Sequence, residues 1–291
     1  MADLNKEVWV EQLKENFYPD SSFLKYVRDF STLVENDAIN MASAGVDPKV
    51  LINNTTYPIP VSMRVDKPIR IELDKFETEN TLVHRPEVIE YSYDQLESVI
   101  MGHRNTLRPK TAEKAAHAFA PHEDTADTPV ISTTGETVGN RKRLSVVDIL
   151  SLKERFDLLD IPLDKRYLVL NPSHLSDLIL FDVKAFKDIV DIKDGVPQRF
   201  AGFNMLQTSI TPKYNSTNNK KVAFGSVASS TDTFCSFAFY SDEVMKADGE
   251  VYMYIRMDDP ELRGTIVGFD KRFIAVPIRN KGIGAIVSAM A

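Results

Sequence analysis

The alternation of apolar and polar residues over residues 57–79 constrains this chain more than any other stretch, because it is the pattern of strands with one buried face. Two runs alternate, residues 59–65 and residues 69–73, and Asp66, Lys67 and Pro68 between them are typical of a turn. We predict a long two-stranded hairpin with one apolar face and one face of mixed charge. Pro58 and Pro60 cannot donate ladder hydrogen bonds, so the first strand should have an unpaired edge.

This predicted hairpin needs a surface to cover its apolar face, because an isolated hairpin is marginally stable in water. The covering surface is either the core of the same chain or a neighbouring subunit, and the pattern alone leaves both open. Charges of both signs on the other face suit ion pairs at a subunit boundary. The residues predicted for that boundary are Ile59, Val61, Met63, Arg64, Lys67, Ile69, Arg70, Ile71, Glu72 and Leu73.

The segments around the hairpin differ in character. Residues 1–45 are predicted to form short helices and connecting chain, with more acidic than basic side chains and too few apolar ones for a separate core. Residues 92–120 show helical spacing of apolar residues, and Pro109 is expected to kink or break that helix. Residues 121–143 are rich in Thr, Asp and Gly, which predicts a long exposed loop between two lobes.

The second half of the chain is predicted to mix helices and strands. A helix near residues 145–159 would have Ser145 as its N-cap. Its predicted buried stripe consists of Val146, Ile149, Leu150 and Phe156. A strand over residues 167–170 leads into a helix that Asn171 and Pro172 can begin. Further strands are predicted at residues 203–208, 220–225, 233–240, 251–257 and 264–279, the last two as an antiparallel pair.

Signals of chemistry are weak throughout. The chain has no glycine-rich phosphate loop and no nucleophile elbow. Residues 173–177 combine Ser, His and Asp at a helix start, where capping explains them, and the acidic residues at 122–127 and 258–261 match no standard metal loop. His103 is expected in a core or interface, and Cys235 as a small buried apolar residue. We therefore predict no catalytic, cofactor-binding or metal-binding residues and no cofactor, which favours a structural protein over an enzyme.

Bulk composition narrows the classes further. The 291 residues carry a net charge of -7, which argues against a dedicated nucleic-acid binder and leaves room for weak contact with DNA. A single cysteine excludes a disulfide within the chain. No apolar stretch is long enough for a membrane span, and residues 1–17 do not follow the pattern of a signal peptide. We therefore expect no membrane partner.

The order of these segments, together with local motifs, resembles a known family. The motifs are Tyr167–Pro172 followed by Leu175 and Leu178, the stretch Gln198–Ser209, the stretch Phe237–Val244, and the closing stretch Phe269–Pro277. In this order they resemble the Hong Kong 97 fold of tailed-bacteriophage major capsid proteins, over nearly the whole chain. The resemblance implies an α+β capsid fold with an N-terminal arm, an extended hairpin loop, a long spine helix, a peripheral domain and an axial domain.

The resemblance also implies boundaries and partners. The arm would cover residues 1–45, the extended loop 46–90, the spine helix of the peripheral domain 91–122, the axial domain 123–249, and the return to the peripheral domain 250–291. The chain would assemble with itself into pentamers and hexamers of an icosahedral shell around phage DNA, in the cytoplasm of a bacterial host. Because no scaffold-like extension precedes the arm, we expect a separate scaffolding protein, and a portal.

The resemblance places the spine helix beside arms and extended loops. We therefore expect arm carboxylates to meet the basic side chains of this helix within or between subunits, at Arg104, Arg108, Lys110 and Lys114. Replacing Ile71 with aspartate is expected to impair assembly more than folding. Two alternatives stay open: an encapsulin-like bacterial nanocompartment shell, and, with less support, an α/β enzyme or a small-molecule binding protein.

Overall fold

The computed structural model describes residues 23–43, 67–84, 95–181, 192–193, 196–197 and 199–290. Within these ranges the chain forms three α-helices and twenty strands. The helices are α1 (Gln95–Phe119), α2 (Val146–Leu158) and α3 (Pro172–Phe181). Short 3-10 helices cover Phe23–Tyr26, Ser31–Leu33 and Ser241–Glu243.

The strands run through the whole described chain. Those of the first half are β1 (Arg28–Asp29), β2 (Val34–Glu35), β3 (Ala38–Ser43), β4 (Lys67–Glu72), β5 (Asp74–Glu77), β6 (Thr81–His84), β7 (Val130–Ser132), β8 (Thr137–Val138) and β9 (Arg141–Lys142). Those of the second half are β10 (Arg166–Leu170), β11 (Ile192–Lys193), β12 (Val196–Pro197), β13 (Arg199–Phe200), β14 (Phe203–Gln207), β15 (Lys213–Asn215), β16 (Lys220–Lys221), β17 (Asp232–Tyr240), β18 (Val244–Asp259), β19 (Gly264–Pro277) and β20 (Ile283–Val287).

An eight-stranded sheet organises one half of the molecule. Its path is β13-β14-β10-β17-β15-β16, and β20 joins it between β17 and β7. The central strand β17 reads DTFCSFAFY, and its last six residues are all buried, because strands and helices cover both of its faces. Phe237 and Phe239 face a cluster with Phe119 of α1, whereas Ala238 belongs to the cluster under α2.

A second sheet is built on the two longest strands. β18 and β19 form an antiparallel hairpin, with β1 beside β18 and with β5 and β6 beside β19. One face of this long-strand sheet packs against the first half of α1, where Ile100 and Leu107 meet Val267 and Phe269. The other face contributes Ala247 and Ile274 to a separate buried cluster. This sheet contains the two predicted closing strands: β18 begins seven residues earlier than the predicted start at residue 251, and β19 ends at Pro277, two residues before the predicted end.

Helix α1 connects the two sheets as a spine. Its first half lies on the long-strand sheet, and its last turns, with Ala115, Ala116 and Phe119, pack on the eight-stranded sheet. The helix is continuous through Pro109, so of the two expected effects, a kink or a break, the break is wrong. Pro109 and Asn105, whose carbonyl loses its helical donor, are both exposed, so water can satisfy that carbonyl.

Three local predictions need correction, and a fourth is not tested. Lys67 and Pro68 lie in strand β4 and not in a turn, and β4 pairs with β3 from Ala38 to Ser43. The predicted first strand, residues 59–65, lies outside the described residues. Residues 130–132 form a strand parallel to β20, so residues 121–143 are not all loop. The predicted strand at residues 220–225 is limited to Lys220–Lys221.

In the second half of the chain, packing explains where the structure differs from the sequence pattern. In α2, Leu150 is 47% exposed and Leu152 is fully buried, because Leu152 faces the sheet three residues from Ile149. The last strand, β20, pairs with β17 and β7, so residues 283–287 join the eight-stranded sheet and do not stay with the long hairpin. Both predicted helix starts are confirmed. Ser145 caps α2 in a capping box with Asp148, and the Asn171 side chain accepts a hydrogen bond from the Ser173 N–H at 3.0 Å.

Candidate assembly surfaces

The first candidate surface is the small sheet β2-β3-β4, which contains the described part of the predicted extended loop. On its outer face Arg70 and Glu72 form an ion pair at 3.8 Å, with side chains 62% and 79% exposed. Charges of both signs therefore face solvent on β4, as the alternation predicted for this face. Ile59, Val61, Met63 and Arg64 lie outside the described residues, as do the side chains of Lys67 and Ile69.

The apolar face of the same sheet is covered by the chain itself. Leu73 is 4% exposed and packs with Ile39, Met245, Ala247 and Ile274. This burial corrects the expectation that Leu73 faces a neighbouring subunit. Ile71 is half-buried against the same cluster, so an aspartate at position 71 would disturb the subunit as well as any contact made by the loop.

The second candidate surface is the exposed side of α1. Lys110 pairs with Glu113 at 2.9 Å within the helix. Lys114 lies 3.7 Å from Asp74 and stands 5.1 Å above the Phe224 ring. Arg104 reaches the Met101 sulfur at 3.3 Å. Arg104, Arg108 and Lys114 are half-buried and Lys110 is exposed, so the structure places the four predicted basic residues along one accessible helix.

Two arm carboxylates in the described part of the chain contact the long-strand sheet. Asp29 lies 3.9 Å from Lys246, and Asp37 lies 3.5 Å from Arg272. Residues 1–22, which carry most of the arm's acidic side chains, are outside the described ranges. The predicted pairing of arm carboxylates with α1 therefore stays a prediction.

An open groove of about 810 Å³ runs between α1 and the segment 75–81. Phe76, Val99, Leu107 and Phe224 supply most of its apolar lining, and Lys110 stands at its side. The groove lies beside the basic side of α1, where a segment of another chain could be held by both apolar and ionic contacts.

His103, which also lines this groove, packs into the subunit's own core. Its ring is 7% exposed and lies 5.3 Å from the ring of Phe269. Burial lowers the pKa of His103. Within the described part of the chain its Nε2 atom has no hydrogen-bond partner. This position agrees with the prediction of a core histidine.

The third candidate surface is the outer edge of β18, which the sequence patterns did not single out. On the side away from β19, β1 pairs with β18 only at Met245 and Lys246, and among the described residues no strand pairs with 250–257 on that side. Tyr252 and Tyr254 are 49% and 58% exposed, whereas Val251 and Met253 are buried. A long unpaired edge offers backbone donors and acceptors to another chain. The alternation at residues 250–256 indicates which side chains lie on each face of β18, and it carries no signal about the pairing of its edges.

The side chains considered for chemistry have structural partners. His174 is fully buried, with its two ring nitrogens 2.7 Å from the hydroxyls of Ser236 and Ser288, and burial lowers its pKa to about 4. Asp177 accepts hydrogen bonds from Arg141 at 2.6 and 2.9 Å. The Cys235 thiol is buried and donates to the Pro212 carbonyl, and burial raises its pKa.

The described residues hold neither a metal-ligand cluster nor a membrane-spanning helix. There, no three His, Cys, Asp or Glu side chains come together as a metal site. Asp259 accepts from Arg256 at 2.7 Å and from two backbone N–H groups of the turn that follows, as expected of a polar turn. In the same ranges no helix is long and apolar enough to cross a membrane.

Known proteins similar to this chain are found by comparing structures and not by comparing sequences. No family model matches the chain, and no curated protein sequence matches it. Among solved structures, the capsid of cyanophage P-SCSP1u superposes with a TM-score of 0.68 at 14% identity, over 94% of this chain and 90% of that chain. The capsid of Ralstonia phage GP4 gives 0.65 at 9% identity, over 91% and 87%.

A particle of another kind is also similar. The virus-like particle from Pyrococcus furiosus gives a TM-score of 0.58 at 12% identity, over 97% of this chain and 99% of that chain. The phage capsids have the higher TM-scores. Helix α1 across two sheets, the long hairpin of β18 and β19, and the eight-stranded sheet are thus arranged as in these shells, and the chain has the fold of tailed-bacteriophage major capsid proteins.

Proposed function

We propose that this chain is the major capsid protein of a tailed bacteriophage, assembling into hexamers and pentamers of an icosahedral shell that encloses the phage DNA. The observation that carries the proposal is the likeness to the capsids of several phages over about nine-tenths of both chains. A likeness of this extent includes both sheets and the spine helix, so it does not rest on one common motif.

The domain roles are part of the proposal and rest on the resemblance to the Hong Kong 97 fold. We assign the half built on the eight-stranded sheet to the axial domain, at the centre of each capsomer, and the long-strand sheet with α1 to the peripheral domain. Strand β4 and the residues that precede it would form the extended loop, reaching a neighbouring subunit. The exposed pair Arg70 and Glu72 supports this assignment, since solvent-facing charges of both signs can exchange ionic partners at a boundary.

The arm is proposed to reach α1. The groove between α1 and segment 75–81 combines an apolar lining with charges of both signs, from Lys75 and Lys110 and from Glu77 and Glu79. The N-terminal residues combine apolar side chains with an excess of carboxylates. Arm residues of the same or a neighbouring subunit would therefore be held beside Lys110 and Lys114. Each exposed ion pair contributes only about 0–1 kcal/mol, so the effect depends on many copies in the shell.

The other partners rest on the resemblance. A separate scaffolding protein and a portal would direct assembly in the bacterial cytoplasm, and contact with packaged DNA would be weak and without sequence preference. The net charge of -7 is compatible with a container that does not hold its contents tightly.

Nuclease protection and cargo analysis of purified particles test the proposal against the nanocompartment alternative. The chain is expressed alone and with the genes that flank it, and particles are isolated by sedimentation. We expect large particles that, in the phage context, contain nuclease-protected DNA. Small DNA-free shells with one co-purifying enzyme would instead support an encapsulin-like shell. Reproducible turnover of a small molecule by a stable monomer would contradict both.

A further inference from the structure

The outer edge of β18 is regular where it is unpaired. Its ladder with β19 is uninterrupted from Val251 to Arg256, and register shifts bound this stretch on both sides, between Asp248 and Val251 and between Arg256 and Asp259. Proteins usually protect such edges by shortening, twisting or covering them. Here six consecutive residues keep a straight ladder, and within the described chain nothing pairs with their outer side.

The residues along this edge are complementary to themselves in the antiparallel direction. If a second copy pairs with the edge about a centre at Met253, Tyr252 faces Tyr254 of the copy. Glu250, which lies at the register shift just before the regular ladder and accepts a hydrogen bond from the Tyr252 hydroxyl of its own chain, comes opposite Arg256 of the copy. The same holds in reverse, because the arrangement has two-fold symmetry. On the buried face, Val251 faces Ile255 of the copy. Each directly opposed pair thus joins opposite charges, two aromatic rings or two aliphatic side chains, all of which are favourable across strands.

The side chains are placed to make these contacts. Tyr252, Tyr254 and Arg256 point to the exposed face, where the Arg256 side chain is 70% exposed. Arg256 already contacts Asp259 at 2.7 Å within its own chain. A guanidinium has five N–H donors, so it can keep Asp259 and also bind a carboxylate of the second copy. The tyrosine pair would bury two half-exposed rings at the centre of the contact.

We propose that two copies of this chain join edge to edge at β18, in antiparallel register centred on Met253, and so extend the long-strand sheet across a two-fold axis. The inference rests on the proposed shell function, because an icosahedral shell contains two-fold axes at which neighbouring capsomers meet. The occupant of this edge is a second copy of the chain and not a strand of another sequence. In the antiparallel register, Glu250 and Arg256 of one copy lie opposite Arg256 and Glu250 of the other, so each charge meets its opposite.

Mixed cysteine variants test the register directly. Tyr252→Cys and Tyr254→Cys are prepared separately, and assemblies of each alone are compared with assemblies of an equal mixture, after mild oxidation and denaturing electrophoresis. Directly opposed residues have Cβ atoms about 4.5–5.5 Å apart, close to the disulfide range, whereas diagonal neighbours are about 7–8 Å apart. Only the mixture should give a cross-linked dimer, involving about half of the subunits. The native Cys235 is fully buried and serves as an internal negative control.

A charge exchange tests the same register without cysteines. Glu250→Arg and Arg256→Glu should each lower particle yield several-fold, because each places like charges opposite one another at both ends of the contact. The double variant should restore the yield, since it reverses both partners of each pair. Melting temperatures of the three unassembled variants separate effects on the subunit, including loss of the Arg256–Asp259 pair, from effects on the contact.

The outcomes are distinguishable. Particles that form without a cross-link in the mixture, or with equal cross-linking in the single-variant assemblies, would contradict this inference and leave the shell proposal standing. A cross-linked dimer without particles would support the edge contact and count against the shell. A double charge variant no better than the single variants would contradict the proposed register.

Discussion

At the scale of single residues, several buried polar side chains stabilise the molecule through hydrogen bonds. These structural roles explain why a catalytic role was a poor interpretation of the same residues. His174 joins α3 to β17 and to the C-terminal residues through Ser236 and Ser288. Both hydrogen bonds fit a neutral imidazole, in which one ring nitrogen donates and the other accepts. His174, near the start of α3, is thus a structural link in the core to Ser236 and Ser288.

The first prediction concerns acid stability at His174. Burial is the main cause that lowers its pKa from 6.5 to about 4; Arg141 lowers it further, whereas Asp177 and Asp148 oppose the shift. The folded state therefore favours neutral histidine, and this contribution is complete above pH 6.5 and is lost as pH falls towards 4. Between these two pH values the contribution of His174 to the free energy of unfolding falls by about 3 kcal/mol. Urea unfolding at pH 7 and pH 4.5 should show a smaller acid loss for His174→Gln than for wild type, and equal losses would contradict the assignment.

The second prediction concerns close packing at Gly284. A Cβ atom there would lie 2.9 Å from the Phe156 ring and 3.0 Å from the Leu152 side chain of α2. Gly284→Ala should therefore destabilise the subunit by about 1–3 kcal/mol through overpacking. The matched control is Gly102→Ala in α1, where nothing lies within 4 Å. That change should stabilise the helix by up to about 1 kcal/mol. Thermal unfolding that gave both variants the same sign would contradict this account of the packing.

At the scale of elements, local signals predicted the helices better than the pairing of strands. Ser145 and Asn171 begin their helices as expected, because a cap depends on residues within one turn. The partner of β4 could not be predicted in this way, because it lies about thirty residues earlier in the chain, in β3. β20 likewise pairs with β17 and β7, and such long-range choices are set by the whole sheet.

The candidate surfaces likewise combine features that local sequence patterns predict with features that depend on long-range contacts. The exposed charges of Arg70 and Glu72 follow from alternation, which the sequence displays. The burial of Leu73 does not, because its partners come from β3, β18 and β19, which approach it only in the folded chain. The unpaired edge of β18 was missed because a strand pattern gives the two faces of a strand and says nothing about its two edges.

The third prediction tests the extended loop with its local ion pair preserved. The double variant Arg70→Glu with Glu72→Arg keeps opposite charges at 3.8 Å within the subunit and reverses what a neighbour meets. The free energy of unfolding should change by less than about 0.5 kcal/mol. Particle yield by sedimentation should fall several-fold. The control is the matched reversal of Lys220 and Glu123, an exposed pair at 2.6 Å in the other half of the molecule. Equal yields for both variants would contradict a role of β4 in assembly.

At the scale of the whole molecule, the order of segments predicted the architecture more securely than any single motif. Arm, strand-rich segment, long helix, mixed lobe and closing hairpin all occur in the expected order, and the fold matches phage capsids over most of the chain. Strand β18 begins at Val244 and β20 returns to the eight-stranded sheet, and the predicted domain boundaries stay a prediction. The fold was predictable because it is set by the sequence of elements, whereas the exchange of strands between sheets depends on tertiary packing.

The fourth prediction concerns the arm. Deleting residues 1–20 should leave the subunit folded and lower the stability of assembled particles, because the arm's carboxylates are proposed to pair with basic residues of α1. Salt screens such pairs, with a Debye length of about 10 Å at 0.1 M. Raising the salt concentration should therefore narrow the difference in particle melting temperature between the deletion variant and wild type. Equal particle stability at low salt would exclude the arm as a stabilising element.

The most direct test of the central claim is electron microscopy of the assembled chain, followed by reconstruction of any closed particles. The account predicts icosahedral shells whose subunits fit this fold, with the eight-stranded sheet towards the capsomer axis and the long-strand sheet at the capsomer boundary. A protein that stays monomeric at every concentration tested, both alone and with its flanking gene products, would contradict the account.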